Sequence, residues 1–276
     1  MDYCLLAPPL SDEAYARCFR EFRRDCKEWR AMLSWTRDRL LKDLPAKEKL
    51  AVLSVGSGNG DFDFRFVRIL LAKIKALEYV MVEPNEVHCQ LLRERFVGGV
   101  FPQANFEIDP MPFEEFAITR PFDLVLFTHC LYYIPDRRQA ILHAMEAIED
   151  DGLVLIFHQT PLGIHQVQQE FLRRVKGYSG EMFTSRDIQE LLDRLEIPYR
   201  LEVLDSFLDV TACFHPDSPR GVNLLCFFLE SDVRQLNPRV RWEVMDYIKD
   251  LTIYDNGRLL LRQPVAIFSL AQSGRR

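Results

Sequence analysis

Three glycines at alternate positions, in Val55-Gly56-Ser57-Gly58-Asn59-Gly60-Asp61, follow directly on the apolar run Leu50–Val55. Glycines so placed let the chain turn sharply and bring bare backbone N–H groups against a ligand. The next apolar stretch, Val80-Met81-Val82, ends in Glu83. A carboxylate there can accept hydrogen bonds from both hydroxyls of a ribose. Its alternative role is a surface carboxylate capping a helix that starts at Asn85. A dinucleotide fingerprint needs a third glycine where this chain has Asp61. A phosphate-binding P-loop needs a Gly-Lys-Ser/Thr ending, which is absent. The chemistry indicated is the holding of a single nucleoside.

The elements that must position these residues alternate along the chain. Leu50–Val55, Tyr79–Val82, Asn105–Ile108, Phe122–Thr128, Leu153–His158, Tyr199–Leu204 and Val265–Leu270 read as strands. Helices are expected over 61–76, 85–96, 136–149 and from Thr184 or Ser185 to Leu195. Continuous apolar strands between helices imply βαβ units, a parallel sheet and helices on both of its faces. The fold class expected is α/β: a Rossmann-like, mostly parallel seven-stranded sheet. In such sheets ligands sit at the carboxyl ends of the strands, near the point where strand order reverses. The fourth strand therefore delivers Thr128, His129, Tyr132 and Tyr133 to the site.

An N-terminal helical segment over 11–43 carries Tyr15, Phe19, Phe22, Cys26, Trp29 and Leu33 on one face. Ser11 or Asp12 starts it and Pro45 ends it. Residues 222–251 read as a helical, aromatic insertion before the last strand. The expected organisation is one domain over 1–276. It has a helical substrate cap at 1–46, a cofactor-binding core at 47–205, and a lid with the final strand at 206–276.

Composition narrows the classes of function. The 276 residues are 48% hydrophobic and 28% charged, with a formal net charge of −6. No basic stripe is present, so no nucleic-acid partner is expected. The seven cysteines form no CxxC pair, which points to free thiols in a reducing compartment. The six histidines show no paired ligand spacing, so no metal is expected. No stretch approaches the ~20 apolar residues of a membrane span, and the N-terminus lacks the apolar core of a signal peptide. A cytoplasmic protein without a membrane partner is expected.

The GxGxG turn after the first strand and the Phe122-Asp123-Leu124-Val125 strand resemble those of class I methyltransferases. A closer similarity, nearly end to end, is to the histamine N-methyltransferases. It is carried by Leu53–Gly60, Val82-Glu83-Pro84, Leu131-Tyr132-Tyr133, Thr184–Asp187, Ala212-Cys213-Phe214 and Leu224–Leu229. On the N-terminal helix, Tyr15, Phe19, Phe22 and Glu28 fall in step with the family pattern. The resemblance implies S-adenosyl-L-methionine as cofactor, bound by Gly56, Ser57, Gly58, Gly60, Glu83, His88 and Thr128. It implies a substrate pocket of Tyr15, Phe19, Glu28, His129, Tyr132, Tyr133, Phe228 and Gln263, and a monomer.

In that family a glutamate matching Glu28 binds the substrate amine; by spacing alone Glu28 reads as a solvated helix residue. His129 and Glu28 are the residues expected to carry the reaction. His129 would hydrogen-bond an imidazole acceptor or take its proton, or else be a partly buried histidine bonded to backbone. The departures from the family pattern fall in the pocket. His129 replaces a glutamine, Gln263 an asparagine, His88 a glutamine, and Ile164 and Gln168 two tryptophans. A changed pocket shifts substrate. The acceptor is thus a histamine-like amine or imidazole, with carnosine, another imidazole metabolite or a protein as alternatives. A cofactor-binding protein without catalysis is the reading from another class.

Overall fold

The computed structural model describes residues 7–44, 47–177, 182–215 and 217–272. Pro45 and Cys4 lie outside them. Strands, in chain order, are β1 (Lys49–Val55), β2 (Ala76–Val82), β3 (Ala104–Asp109), β4 (Phe122–Thr128) and β5 (Ile148–Gln159). There follow β6 (Tyr199–Leu204), β7 (Phe207–Asp209), β8 (Thr252–Asp255), β9 (Arg258–Arg262) and β10 (Val265–Leu270). The helices are α1 (Asp12–Asp25), α2 (Glu28–Trp35), α3 (Leu41–Asp43), α4 (Asp61–Leu70), α5 (Glu86–Phe96) and α6 (Arg137–Glu146). After them come α7 (Ile164–Lys176), α8 (Ser185–Arg194), α9 (Pro219–Leu229) and α10 (Pro238–Asp250). No helix among the described residues is long and apolar enough to cross a membrane.

The chain divides into two compact units. The first comprises Met1–Glu28, Gln159–Arg186 and Asp205–Val265; the second comprises Trp29–His158, Asp187–Leu204 and Ala266–Arg276.

The second unit is built on a seven-stranded sheet of order β3-β2-β1-β4-β5-β10-β6. Strands β3, β2, β1, β4 and β5 pair in parallel. The expected α/β class and seven-stranded sheet are what is found. Apolar residues on both faces account for its centre: Phe122 to Phe127 of β4 and all six residues of β10 are buried. Strand order reverses between β1 and β4, which places the switch point directly above the glycine turn. A buried network fixes α4 behind that turn. The Ser54 hydroxyl donates to Asp63 at 2.6 Å, and the Tyr79 hydroxyl donates to it at 2.7 Å. Burial pushes the Asp63 carboxyl above its ordinary range.

The first unit holds α1, α7, α9 and α10 with a three-stranded sheet of order β7-β9-β8. Phe22, Val167, Phe171, Leu224, Phe228 and Val244 belong to one buried core. The Ser11 hydroxyl caps α1 by accepting from the Ala14 N–H. Asp25, at the end of α1, takes a bidentate pair from Arg220 on α9, with Nε donating at 2.6 Å. The single helix expected over 11–43 is broken at Cys26 and Lys27. There the backbone turns extended, Cys26 bridges to Leu208, and the Lys27 N–H donates to the Phe207 carbonyl. Pairing to β7 replaces the helical hydrogen bonds at that step. The helices expected over 61–76 and 136–149 stop at Leu70 and Glu146. The insertion expected over 222–251 is two helices, α9 and α10.

Candidate active site

In the second unit the carboxyl ends of three strands lie level. Val55 pairs with Val82 of β2 and with Phe127 of β4. The Gly56 N–H donates to the Val82 carbonyl at 2.8 Å, which stitches the glycine turn to the end of β2. Glu83 is the next residue. It is 6% exposed, and its carboxylate accepts from the Gly58 N–H at 2.8 Å and the Asn85 N–H at 3.0 Å. It does not cap α5: that is done by Asn85, whose side chain accepts from the Val87 and His88 N–H groups. His88 stands with Nδ1 3.5 Å from the Glu83 carboxylate. Ser57 donates back to the Ser54 carbonyl at 3.3 Å, and Gly60 starts α4. Asp109, which pairs with Val82 from β3, accepts the Glu83 N–H on its carbonyl. The sequence reading passed over Asp109; only the strand register brings it forward.

Two observations test whether these residues fit a nucleoside cofactor. A Cβ on Gly58 would meet nothing within 4 Å, so the turn offers open space beside its backbone. At the end of β4 the Thr128 hydroxyl oxygen is buried with no hydrogen-bond partner among the described residues. An open cradle, a carboxylate at its rim and a buried polar atom suit such a ligand.

The comparisons with known proteins decide the family. Residues 19–196 match the family described as a methyltransferase domain. The chain belongs to the methyltransferase family. The methyltransferase is 25% identical to the histamine N-methyltransferase of Danio rerio, over 78% of this chain and 80% of that one. It is 23% identical to carnosine N-methyltransferase 2 of Gallus gallus, over 79% and 73% of the two chains. The plantazolicin methyltransferase BpumL, solved in complex with SAH, shares the fold. Its TM-score is 0.52 at 12% identity, covering 95% of this chain and 92% of that one. The cofactor is S-adenosyl-L-methionine.

Glu83 is the most informative position for cofactor binding. Glu83→Ala is expected to weaken binding of S-adenosyl-L-homocysteine by about 1.5–3 kcal/mol, or roughly 10- to 150-fold, the scale of hydrogen bonds to a charged group. Isothermal calorimetry giving the wild-type affinity would show that Glu83 serves only the turn.

The remaining sequence-derived residues divide between the units. In the second unit, His129 follows β4 with φ of 51° and donates its N–H to the Phe157 carbonyl at 3.0 Å. A left-handed backbone at a non-glycine residue is uncommon and concentrates at functional sites. Tyr132 and Tyr133 form a short 3₁₀ turn, with ring centroids 4.5 Å apart, and Tyr133 is 73% exposed. Next to them is a residue the sequence reading missed. His158 ends the apolar run of β5 fully buried, 6.3 Å from the His129 ring and 5.5 Å from Tyr132. Its signal was a lone histidine closing an otherwise apolar strand. Cys130 is buried, its thiol donating to the Val55 carbonyl at 3.1 Å. Burial pushes that thiol up to about 12.

In the first unit, Tyr15 and Phe19 are stacked, and each packs on Phe227 at under 6 Å, from 5.7 to 5.8 Å. Phe228, named with them as a pocket residue from the family resemblance, is fully buried in the core. One residue is about 100° around a helix, so Phe227 and not Phe228 joins the rings of α1. Gln263 is buried and its carboxamide oxygen accepts from the Ile164 N–H at 2.8 Å, closing the start of α7. Glu28 is 3% exposed, so the solvated alternative does not hold. Its carboxylate accepts from the Cys26 thiol at 3.8 Å and faces Arg23 at 3.9 Å.

Proposed function

We propose that the methyltransferase acts on a nitrogen of a small amine or imidazole compound, with histamine and carnosine as the acceptors to test first. Glu28 carries this reading: it is a buried carboxylate at the end of the segment bearing Tyr15 and Phe19, and a buried carboxylate suits an organic cation. The relatives named for histamine and carnosine support the same acceptor class.

The cofactor supplies a methyl group already activated on a sulfonium sulfur. Glu83 and the Gly58 backbone hold the nucleoside end, and Thr128 offers its hydroxyl from β4. An imidazole is mostly neutral at pH 7, so the acceptor nitrogen needs no strong base. The protein's task is to orient it at near-attack distance. His129 accepts the proton or hydrogen bond of the acceptor ring. Glu28 anchors a cationic amine remote from the methylated nitrogen, and the Tyr15 and Phe19 faces add cation–π attraction. We further infer a cytoplasmic monomer with a free small-molecule substrate and no nucleic-acid partner. The net charge of −6 without a basic stripe supports the last of these, the lack of a nucleic-acid partner.

Glu28→Gln is the test. Its kcat/KM for histamine or carnosine is expected to fall by roughly 10- to 150-fold, about 1.5–3 kcal/mol. Its affinity for S-adenosyl-L-homocysteine should match wild type. An unchanged kcat/KM for every acceptor turned over would return Glu28 to a purely structural part.

A further inference from the structure

Helices α1 and α9 of the first unit run antiparallel, and their contacts keep in step. At the end of α1, Asp25 takes the Arg220 guanidinium, with Nε donating at 2.6 Å. Midway, the Cys18 thiol donates to the Asn223 carboxamide oxygen at 3.8 Å. Nearer the start of α1, the Tyr15 ring packs on Phe227 at 5.8 Å. Beyond both helices, the Asp232 N–H donates to the Pro8 carbonyl at 3.1 Å. Asn223 and Cys226 are three residues apart and so are neighbours on the surface of α9. The thiol that reaches one meets the other, and the Cys18 and Cys226 side chains hydrogen-bond. Both cysteines are buried in the core of this unit. Burial pushes both thiols up, Cys226 to about 11, so neither is appreciably ionised at neutral pH.

We propose that Cys18 and Cys226 form a reversible oxidation site, at which hydrogen peroxide joins α1 to α9 through a disulfide. One sulfur gives up its proton and attacks a peroxide oxygen. The O–O bond breaks, a sulfenic acid forms, and the released hydroxide takes that proton and leaves as water. The second sulfur then displaces hydroxide from the sulfenic sulfur, and this hydroxide leaves as water with the second thiol proton. The two thiols lose two electrons and the peroxide gains them. Scarcity of thiolate makes the first step slow, so the site responds to sustained oxidant and not to a brief pulse. The bond pins α1, with the rings of Tyr15 and Phe19, against the helix of Phe227. A reducing thiol reopens it by exchange.

Peptide mapping of the full chain, without reduction, before and after hydrogen peroxide tests this. The treated protein should yield one new linked pair, the Cys18 peptide with the Cys226 peptide, two hydrogens lighter than their sum. The bond closes a long loop of chain, so the thermal midpoint should rise by roughly 4–16 °C. Dithiothreitol should reverse both changes. Cys18→Ala and Cys226→Ala should each abolish the linked pair and the rise; the wild-type map decides alone if either variant fails to fold. Cys18 and Cys226 recovered unlinked, as thiols or as sulfinic and sulfonic acids, overturn the proposal. So does pairing of either with another cysteine, or a linked pair whose formation leaves the midpoint unraised.

Discussion

Gly58→Val is expected to abolish cofactor binding while leaving the protein folded. Gly58 has φ of 56°, and a Cβ there would meet no protein atom within 4 Å. The cost to the fold is the left-handed backbone of a branched residue, about 1–2 kcal/mol. The new methyl groups point into the open space beside Glu83, where the nucleoside must approach. Affinity for S-adenosyl-L-homocysteine should drop more than about 100-fold, beyond 2.7 kcal/mol or so. The thermal midpoint should fall by no more than roughly 2–8 °C. Calorimetry and a melting curve on one preparation read both. Retained affinity would place the cofactor away from the turn.

Gly56→Val, two residues earlier in the same motif, is expected to fail the opposite way. Its φ is 62°, and a Cβ there would stand 2.6 Å from the Cβ of Cys130. That atom is fixed to the backbone after β4 and cannot swing aside. Overpacking of about 1–3 kcal/mol adds to backbone strain of about 1–2 kcal/mol. At about 2–4 °C per kcal/mol, the midpoint should fall by roughly 4–20 °C. A melting curve within about 2 °C of wild type would mean that the β1 and β4 ends separate easily.

Parts of this molecule could be read from the sequence because burial writes a pattern. β4, β6 and β10 match their expected limits residue for residue, since apolar or alternating runs between polar turns leave little choice of register. The glycine turn was legible for a related reason: the positive φ of Gly56, Gly58 and Gly60 favours one residue type. The break between α1 and α2 was not. Cys26 continues the apolar face of α1, and only pairing with β7, some 180 residues away in sequence, turns it extended. Local pattern cannot report a distant partner. The hairpin of β8 and β9 was missed although Asn256-Gly257 is a strong turn signal, because strands of four and five residues show too little alternation. Helix α7 carried its own signal in Ile164, Val167, Phe171 and Val175, closed by Gly177, and was overlooked.

The Cys130 thiol turns the glycine turn into a clock. Its hydrogen bond to the Val55 carbonyl, and its place beside Gly56 where a Cβ would come 3.3 Å from the sulfur, bury it when β1 and β4 are closed. With its ionisation pushed to about 12, it has almost no thiolate for an alkylating reagent to attack at neutral pH. Modification then proceeds through moments when the strand ends part and the sulfur meets water. The rate at which mass accumulates on the Cys130 peptide counts those openings, in the folded protein and without any introduced label.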